Sequence, residues 1–223
     1  MSNLNTDAHV YSTAFCKDGT LLEADKEGLF GFSFPYMNGD FQDCHSDQQP
    51  AGADVLSVCC CDKYCTTIVS DEKRDSWNHV WSWPFNGSGS VPAISADQEE
   101  KLFEFALSDS RVPAVASYAN RVVVTSDKSI MIYNRQTKHL SKTDFQYQPS
   151  FCAFTKNKGH LVVSARTSSM LKKYEMSANG HCGLMWTCLS LPDAAGVCTT
   201  TGGVTIVQGF KENKLFLVSN DGM

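Results

Sequence analysis

The chain has 223 residues, 42% hydrophobic and 19% charged, and this composition excludes an intrinsically disordered or fibrous protein. Its net charge of −5 is unevenly distributed, because residues 1–100 carry 5 Lys and Arg against 16 Asp and Glu, whereas residues 101–223 carry 14 against 8. The sequence contains no apolar run of about 18 residues and no apolar leader, so we expect neither a membrane span nor a signal peptide.

The ten cysteines bear on the cellular compartment. Disulfide frameworks usually belong to short secreted chains, and this chain is long and has no secretory signal. We therefore expect reduced thiols and a cytoplasmic location, with the nucleus as the alternative.

A pattern of short apolar strands joined by a glycine turn and a polar loop begins in the first repeat, residues 10–52. Strands are predicted over 10–16, 20–24 and 29–34. The acidic segment 36–52 leaves room for one short outer strand.

The second repeat, residues 53–111, contains the aromatic stretch WNHVWSWPF at 77–85. Aromatic residues at strand spacing are typical of a packed core strand, so we predict core packing for Trp83 and its neighbours rather than a ligand cage. A further strand at 101–107 is either the outer strand of this repeat or the remnant of another one.

Repeats three, four and five, residues 112–148, 149–190 and 191–223, are the most regular. Two of their strands contain the continuous apolar runs 122–124 and 161–163. Such runs indicate strands that are covered on both faces.

The repeat length decides the fold class. The first turns of the five repeats are spaced by 44, 57, 39 and 44 residues. A period near 40 residues with about four strands is typical of a β-propeller blade. The sequence therefore predicts an all-β, β-propeller-like array of about five four-stranded blades in a single domain, with the third strands packed blade on blade. The first turns are at Gly19, Lys63, Asn120, Gly159 and Gly203.

The fifth repeat ends directly after its third strand, at Met223. The polar residues before Val10 are a poor substitute for the missing outer strand. We therefore expect an incomplete or open array: a shortened chain, a fragment, or a repeat completed by a protein partner or a second copy of the chain.

Repeat five carries a family resemblance. Its GVC strand at 196–198, glycine turn, apolar strand and NKLFLVSNDG ending resemble the NHL-type repeat, and also a degenerate WD-type blade. The resemblance is best over 112–222, and Gln208 stands where the NHL pattern usually has Asp. It implies a propeller fold and, by analogy with NHL-type RNA regulators, an RNA-binding function.

The densest group of possible metal ligands is Cys59, Cys60, Cys61 and Cys65. Three of these thiols share a strand face if the turn before Cys65 returns the chain to that face. Structural zinc normally uses four ligands in paired spacings, and buried cysteines are common in strands, so we expect no metal site and no cofactor.

The sequence contains no nucleophile elbow, HExxH motif or phosphate-binding loop, so we expect a protein that is not an enzyme. A metal-dependent, lactonase-like hydrolase is the enzymatic alternative. The predicted ends of the inner strands offer little carboxylate for a hard cation. The residues at those ends are Ala14, Ser57, Ala116, Ala153 and Gly196.

The remaining prediction is a non-catalytic intracellular scaffold that binds a protein or peptide on one propeller face. In a meandering blade, the turn between strands one and two lies at the same end as the turn between strands three and four. This rule gathers basic residues of repeats three and four into one patch suited to an acidic partner. Single-stranded RNA is the alternative partner, with two aromatic residues as stacking platforms. The predicted site consists of Arg135, Lys138, His139, Lys142, Lys156, Lys158, Phe145 and Tyr147.

The same rule makes two further predictions. Acidic residues of repeats one and two gather on the same face, and Lys211 and Lys214 lie on the opposite one. The acidic residues are Asp18, Asp40, Asp43, Asp47 and Asp62.

Overall fold

The computed structural model shows an all-β chain that divides into two compact halves, Met1–Val112 and Pro113–Met223. The described residues are 12–15, 21–25, 28–33, 42–45, 54–61, 64–71, 74, 76–84, 100–108, 111–156, 159–177, 180–189, 191–209, 211 and 213–222.

The N-terminal half contains two antiparallel sheets of four strands each. Their strands are β1 (Ser12–Phe15), β2 (Leu21–Asp25), β3 (Gly28–Ser33), β4 (Gln42–His45), β5 (Val55–Cys60), β6 (Tyr64–Ser70), β7 (Trp77–Pro84) and β8 (Glu100–Ala106).

The C-terminal half contains three sheets, of which two have four strands and the last has three among the described residues. Their strands are β9 (Val115–Tyr118), β10 (Arg121–Thr125), β11 (Ser129–Asn134), β12 (His139–Asp144), β13 (Phe151–Phe154), β14 (Leu161–Ala165), β15 (Met170–Met176), β16 (Cys182–Leu189), β17 (Ala194–Thr199), β18 (Thr205–Gly209) and β19 (Lys214–Val218). A short 3-10 turn, Arg166–Ser168, joins β14 to β15.

Each sheet is an antiparallel meander in which neighbouring strands follow one another along the chain. This is the architecture of a β-propeller blade and confirms the predicted fold class. The predicted count of about five four-stranded blades needs a correction, because the described residues form four four-stranded sheets and one three-stranded sheet. The strand predicted at 101–107 is β8, which pairs with β7 as the outer strand of the second sheet.

In the C-terminal half, the first strands β9, β13 and β17 lie side by side and bring successive sheets face to face. The runs 122–124 and 161–163 are fully buried, as their continuous apolar character predicts. The prediction that third strands make the contact between blades is incomplete. The backbones of successive sheets contact each other at their first strands, and also where the second strand of one sheet meets the first strand of the next. Third strands add side chains such as Ile132 to the core between the sheets.

In the N-terminal half, β1 and β2 pack against β5. The hydroxyl of Ser12 accepts a hydrogen bond from the backbone N–H of Val58 at 3.2 Å. Buried Leu22 and Ala24 contact a cluster that includes Val55 and Trp83. The tryptophan-rich strand is therefore a core strand, as predicted.

Candidate functional site

Two turns of the third sheet meet at one end of the sheet. The backbone N–H of Arg135, in the β11–β12 turn, donates to the carbonyl of Asn120 at 2.7 Å, in the β9–β10 turn. The side-chain amide of Asn120 also contacts that of Gln136 at 3.5 Å. Ala119 and Lys138 adopt positive φ angles of 51° and 54°, which tighten both turns. The strand-order rule therefore holds in this sheet.

The turns of the next two sheets lie at the same end. Gly159, in the β13–β14 turn, has φ of 61°, and a Cβ at this position would lie 2.5 Å from the ring of Tyr118. The Tyr118 ring also packs on Phe154 at 5.7 Å. From the fifth sheet, the Thr199 hydroxyl donates to the carbonyl of Phe154 at 2.7 Å. We call this end of the three sheets the turn end, and it consists of residues 119–120, 135–138, 155–156, 159–160 and 200–203.

Three of the predicted basic residues lie exposed at or beside the turn end, namely Lys138, His139 and Lys156. Lys158 lies outside the described residues. The sequence places no Asp or Glu in the turns that form this end, although Asp221 follows β19 at the same end of the fifth sheet. The turn end is therefore positively charged on its third and fourth sheets.

Two predicted members of the basic patch are placed elsewhere. Lys142 is the fourth residue of β12 and lies well along the strand from the turn. Its amine is 3.3 Å from a carboxylate oxygen of Asp144. The side chain of Arg135 is buried rather than displayed. Both differ from the prediction because a turn was inferred where β12 had already begun, and because an arginine stem can pack inward. The acidic residues predicted on the same face have side chains that are not among those the structure describes. They are Asp18, Asp40, Asp43, Asp47 and Asp62.

The predicted stacking residues, Phe145 and Tyr147, belong to the core between the third and fourth sheets. Their rings stack on each other at 4.8 Å, and Phe145 also stacks on Tyr174 at 5.2 Å. Tyr147 is buried, and its hydroxyl bonds that of Tyr174 at 2.7 Å. The prediction that Tyr147 stacks on RNA bases is wrong, and Phe145 packs against the same core, because the segment after β12 turns inward.

The environment of the tyrosine pair explains its ionisation. Burial is the main cause that raises the pKa of Tyr147 far above its usual value, and the hydrogen bond to Tyr174 raises it further. Burial also raises the pKa of Tyr174, although its hydrogen bond to Tyr147 opposes this. The Lys172 amine lies 4.5 Å from the centre of the Tyr147 ring. The pair is neutral at physiological pH and contributes to packing.

The fifth sheet has an open face. Its third strand, β19, pairs only with β18 among the described residues. Phe216 and Val218 of β19 pack toward the fourth sheet, whereas Leu215 and Leu217, which point the opposite way, are each 72% exposed. The exposed leucines and the outer edge of β19, where the structure describes no further strand, form what we call the β19 face.

The corresponding strands of the two preceding sheets are covered. Ile130 and Ile132 of β11 and Leu171 of β15 are at most 2% exposed. Both strands have a fourth strand beside them, β12 and β16. The exposure of β19 therefore accompanies the lack of a described strand at its edge.

Specific polar contacts hold the fifth sheet in place against the fourth. The buried hydroxyl of Ser164 donates to the carbonyl of Ala195 at 2.7 Å. Lys173, 2% exposed, donates its amine to the carbonyl of Asn220 at 3.1 Å, and the indole N–H of Trp186 donates to the same carbonyl at 3.0 Å. The β19 face thus belongs to a fixed sheet rather than to a loose tail.

The N-terminal half carries a cluster of ion pairs between the β6–β7 loop and β8. Arg74 contacts Asp71 at 2.8 Å and Glu104 at 3.2 Å, and Lys101 contacts Glu104 at 2.9 Å. The hydrogen bonds from Lys101 and Arg74 lower the pKa of Glu104. His79 lies 3.1 Å from Asp71 and 3.7 Å from Glu104. Because both imidazole nitrogens face carboxylates, the cluster is better suited to joining strands than to proton transfer. Sequence reasoning missed it, since its members are up to 33 residues apart.

Within the described residues, no group of three or more His, Cys, Asp or Glu side chains could hold a metal ion. No helix in the described part of the chain is long and apolar enough to cross a membrane.

No protein-family model and no curated protein sequence matches the chain. Solved structures do match its fold. A protein of unknown function from Bacteroides caccae has a TM-score of 0.64 at 12% identity, covering 98% of this chain and 81% of that one. Virginiamycin B lyase from Staphylococcus aureus has a TM-score of 0.59 at 10% identity, covering 98% and 69%. A catalytically inactive variant of that lyase with quinupristin has a TM-score of 0.60 at 10% identity, covering 100% and 71%. At these identities the likeness shows the fold alone.

Proposed function

We propose that the protein is a non-catalytic intracellular scaffold that binds a protein partner, and that an extended strand of this partner pairs with β19. The observation that carries the proposal is the β19 face. Leu215 and Leu217 are exposed at a strand position that is buried in the two preceding sheets. An unpaired strand edge beside exposed apolar side chains is the arrangement used in strand addition, where backbone hydrogen bonds supply affinity and side-chain pockets supply specificity.

The alternation along β19 sets the chemistry of the incoming strand. Leu215 and Leu217 offer apolar contacts on one side, so the partner strand needs apolar residues at every second position. The edge of a sheet supplies backbone groups that accept either strand direction. An apolar, alternating peptide is therefore the occupant that best fits the surface.

The turn end adds a charge preference. Lys138, His139 and Lys156 are exposed there, and the C-terminal half carries most of the basic residues of the chain. A partner with acidic residues flanking its apolar strand gains attraction and a faster encounter at low salt. We therefore propose that acidic residues flank the apolar strand of the partner.

Protein is favoured over single-stranded RNA by the position of the aromatic residues. RNA binding of this kind uses exposed rings on which bases stack, and the two predicted rings, Phe145 and Tyr147, pack in the core. The exposed residues that distinguish the fifth sheet are aliphatic. These side chains suit a protein surface.

We also propose that repeats three to five are NHL-like or degenerate WD-type blades. The glycine turn of repeat five supports this assignment, because Gly203 has φ of 87°. The lyase activity of one structural neighbour supports no enzymatic proposal, since that neighbour is only 10% identical.

The test is partner capture with a tagged full-length chain from a lysate of the native host. Wild type is compared with the double variant Leu215→Glu/Leu217→Glu, before and after nuclease treatment. We expect wild type to capture a protein that stays bound after nuclease treatment. The double variant should not capture this protein, because two carboxylates cannot be buried under an apolar strand without a large desolvation penalty.

The control is Leu140→Glu, which places one carboxylate, against two in the double variant, on β12, the outer strand of a four-stranded sheet. It is 38% exposed and should capture the same protein as wild type. Equal capture by the double variant and wild type would overturn the proposed surface. Capture of nucleic acid alone, lost on nuclease treatment, would replace the protein partner with RNA.

A further inference from the structure

The β5–β6 hairpin brings two cysteines into contact. Cys60, the last residue of β5, is the register partner of Cys65 in β6, and their sulfur atoms lie 2.7 Å apart. This separation is inside the normal contact distance of two non-bonded sulfur atoms. The pair is thus placed side by side across two strands that are fixed by their sheet.

The hydrogen-bond pattern shows which kind of cross-strand pair this is. The backbone N–H of Cys61 donates to the carbonyl of Tyr64 at 2.9 Å, so the next pair inward, Cys60 with Cys65, is a non-hydrogen-bonded pair. The backbone of Val58, two residues earlier, bonds Ser12 of β1 instead of β6, which fits the same alternation. Non-hydrogen-bonded partners have Cα atoms about 4.5 Å apart, within the range of about 4.4–6.8 Å that disulfides span.

The two thiols differ in accessibility. Cys65 is fully buried in the core of the N-terminal half, whereas Cys60 is half-buried. Cys59 and Cys61 are also half-buried, but strand alternation directs them to the opposite face from Cys60. An oxidant therefore reaches Cys60 first, and Cys65 is the cysteine placed to respond.

We propose that Cys60 and Cys65 form a reversible disulfide, which makes this hairpin a modification site for hydroperoxides. The Cys60 thiolate attacks a peroxide oxygen, the O–O bond breaks, and a sulfenic acid forms with release of water from hydrogen peroxide. The Cys65 sulfur then attacks the Cys60 sulfur, the S–O bond breaks, and a second water leaves. Two thiols are oxidised and one peroxide is reduced. A small dithiol reverses the change by exchange.

The bond would fasten β5 to β6 beside the core of the N-terminal half. Cys65 is also the register partner of Trp83 in β7, and its carbonyl accepts a hydrogen bond from the buried hydroxyl of Ser82 at 2.9 Å. Because strands on both sides already hold Cys65, oxidation needs little backbone movement. We expect a higher melting temperature for the oxidised chain than for the reduced chain. This inference is independent of the proposed partner binding.

The chain offers a direct readout, because Lys63 lies between the two cysteines. Trypsin cleavage there separates them, and the peptide 64–73 has Cys65 as its only cysteine. The native full-length chain is treated with hydrogen peroxide, alkylated under denaturing conditions, digested and analysed by mass spectrometry. We expect the peptide 64–73 to be recovered linked to 27–63 with loss of two hydrogens, and to be released by dithiothreitol.

Three serine substitutions assign the bond. Cys60→Ser should abolish the link and the peroxide-induced rise in melting temperature, whereas Cys59→Ser and Cys61→Ser should retain both. If Cys60→Ser does not fold, fragmentation of the linked wild-type peptides makes the assignment. An alkylated Cys65 after peroxide treatment, or a link from Cys65 to Cys59 or Cys61, would overturn the proposal.

Discussion

The third strands of the sheets in the C-terminal half differ sharply in their surroundings. In β11 and β15, side chains on both faces are buried, including Ile132 and Leu171. In β19, one face packs on the fourth sheet while Leu215 and Leu217 are 72% exposed on the other. β11 (SIMIYN) and β19 (KLFLV) are similarly apolar, and β15 (MLKKYEM) buries even the lysine Lys173 at 2% exposure. The difference therefore comes from the neighbours of these strands and not from how apolar they are.

This contrast shows what a repeat of this kind needs. In a repeat array of this kind, a sheet buries one face against the sheet before it and the other face against the sheet that follows. A fourth strand pairs with the outer edge of its third strand. Among the described residues, the fifth sheet packs against the sheet before it, but no described strand lies beside the outer edge of β19. This exposed apolar strand is the surface on which the proposed partner binding rests.

Truncation of matched side chains should give the largest difference between the two kinds of strand. Ile132→Ala, at a 2% exposed position, should lower the free energy of unfolding by about 2–5 kcal/mol, because it leaves a cavity between sheets. Leu217→Ala should change it by no more than about 0.5 kcal/mol. Urea unfolding measures both. Similar losses in the two variants would show that β19 is covered in solution.

A smaller effect is expected from the tyrosine pair that joins the two covered sheets. Tyr147→Phe removes the 2.7 Å hydrogen bond to Tyr174 and should cost about 1 kcal/mol of stability. A comparison variant, Tyr174→Phe, removes the other hydroxyl of the same hydrogen bond and should cost a similar amount. Chemical denaturation at neutral pH compares the two, and a Tyr147→Phe variant as stable as wild type would contradict the assigned contact.

The same pair predicts a pH dependence with a definite sign. The pKa of Tyr147 is raised in the folded chain, so above the usual tyrosine pKa of about 10 the unfolded chain releases a proton that the folded chain retains. Stability is therefore present below pH 10 and falls as the pH rises beyond it. Tyr147→Phe should weaken this fall in unfolding experiments between pH 9 and 11. An identical alkaline slope in the variant would rule out Tyr147 as its source.

The smallest effect concerns the charges at the two ends of the sheets. Lys138→Glu/Lys156→Glu should weaken binding of the captured partner about threefold at low salt and less at high salt, because surface charges act over a screened distance. Lys211→Glu/Lys214→Glu is the matched control, since Lys211 lies at the opposite end and contacts Asp193 at 3.2 Å. Binding measured over a salt series distinguishes the pairs. Equal effects would mean that the turn end has no special role.

Much of the fold could be read from the sequence because strand alternation and glycine turns are local signals. The strand predicted at 101–107 and the buried runs at 122–124 and 161–163 all agree with the structure. The candidate site was harder to predict, because exposure depends on neighbours that are distant in sequence. Tyr147 was predicted as a stacking platform, but its hydroxyl bonds that of Tyr174, which lies 27 residues later in the chain, and its ring is buried.

The sequence predicted the β19 face only in part. A fifth repeat with three strands predicts an uncovered apolar face, but the sequence alone does not show which leucines occupy it. KLFLV alternates between two apolar faces, and either one fits the core. Phe216 decides the orientation, because its ring fits against Gly209, where a Cβ would lie 2.6 Å from it.

Hydrogen exchange of the isolated chain tests the central claim, that β19 is an open edge, most directly. The peptide covering 214–218 should exchange at about half of its amides within the earliest time points, because only one side of an edge strand is hydrogen-bonded. The peptide covering 129–134, from β11 with partners on both sides, should stay protected. Equal protection of the two peptides at concentrations where the chain is monomeric would contradict the open edge and with it the proposed binding surface.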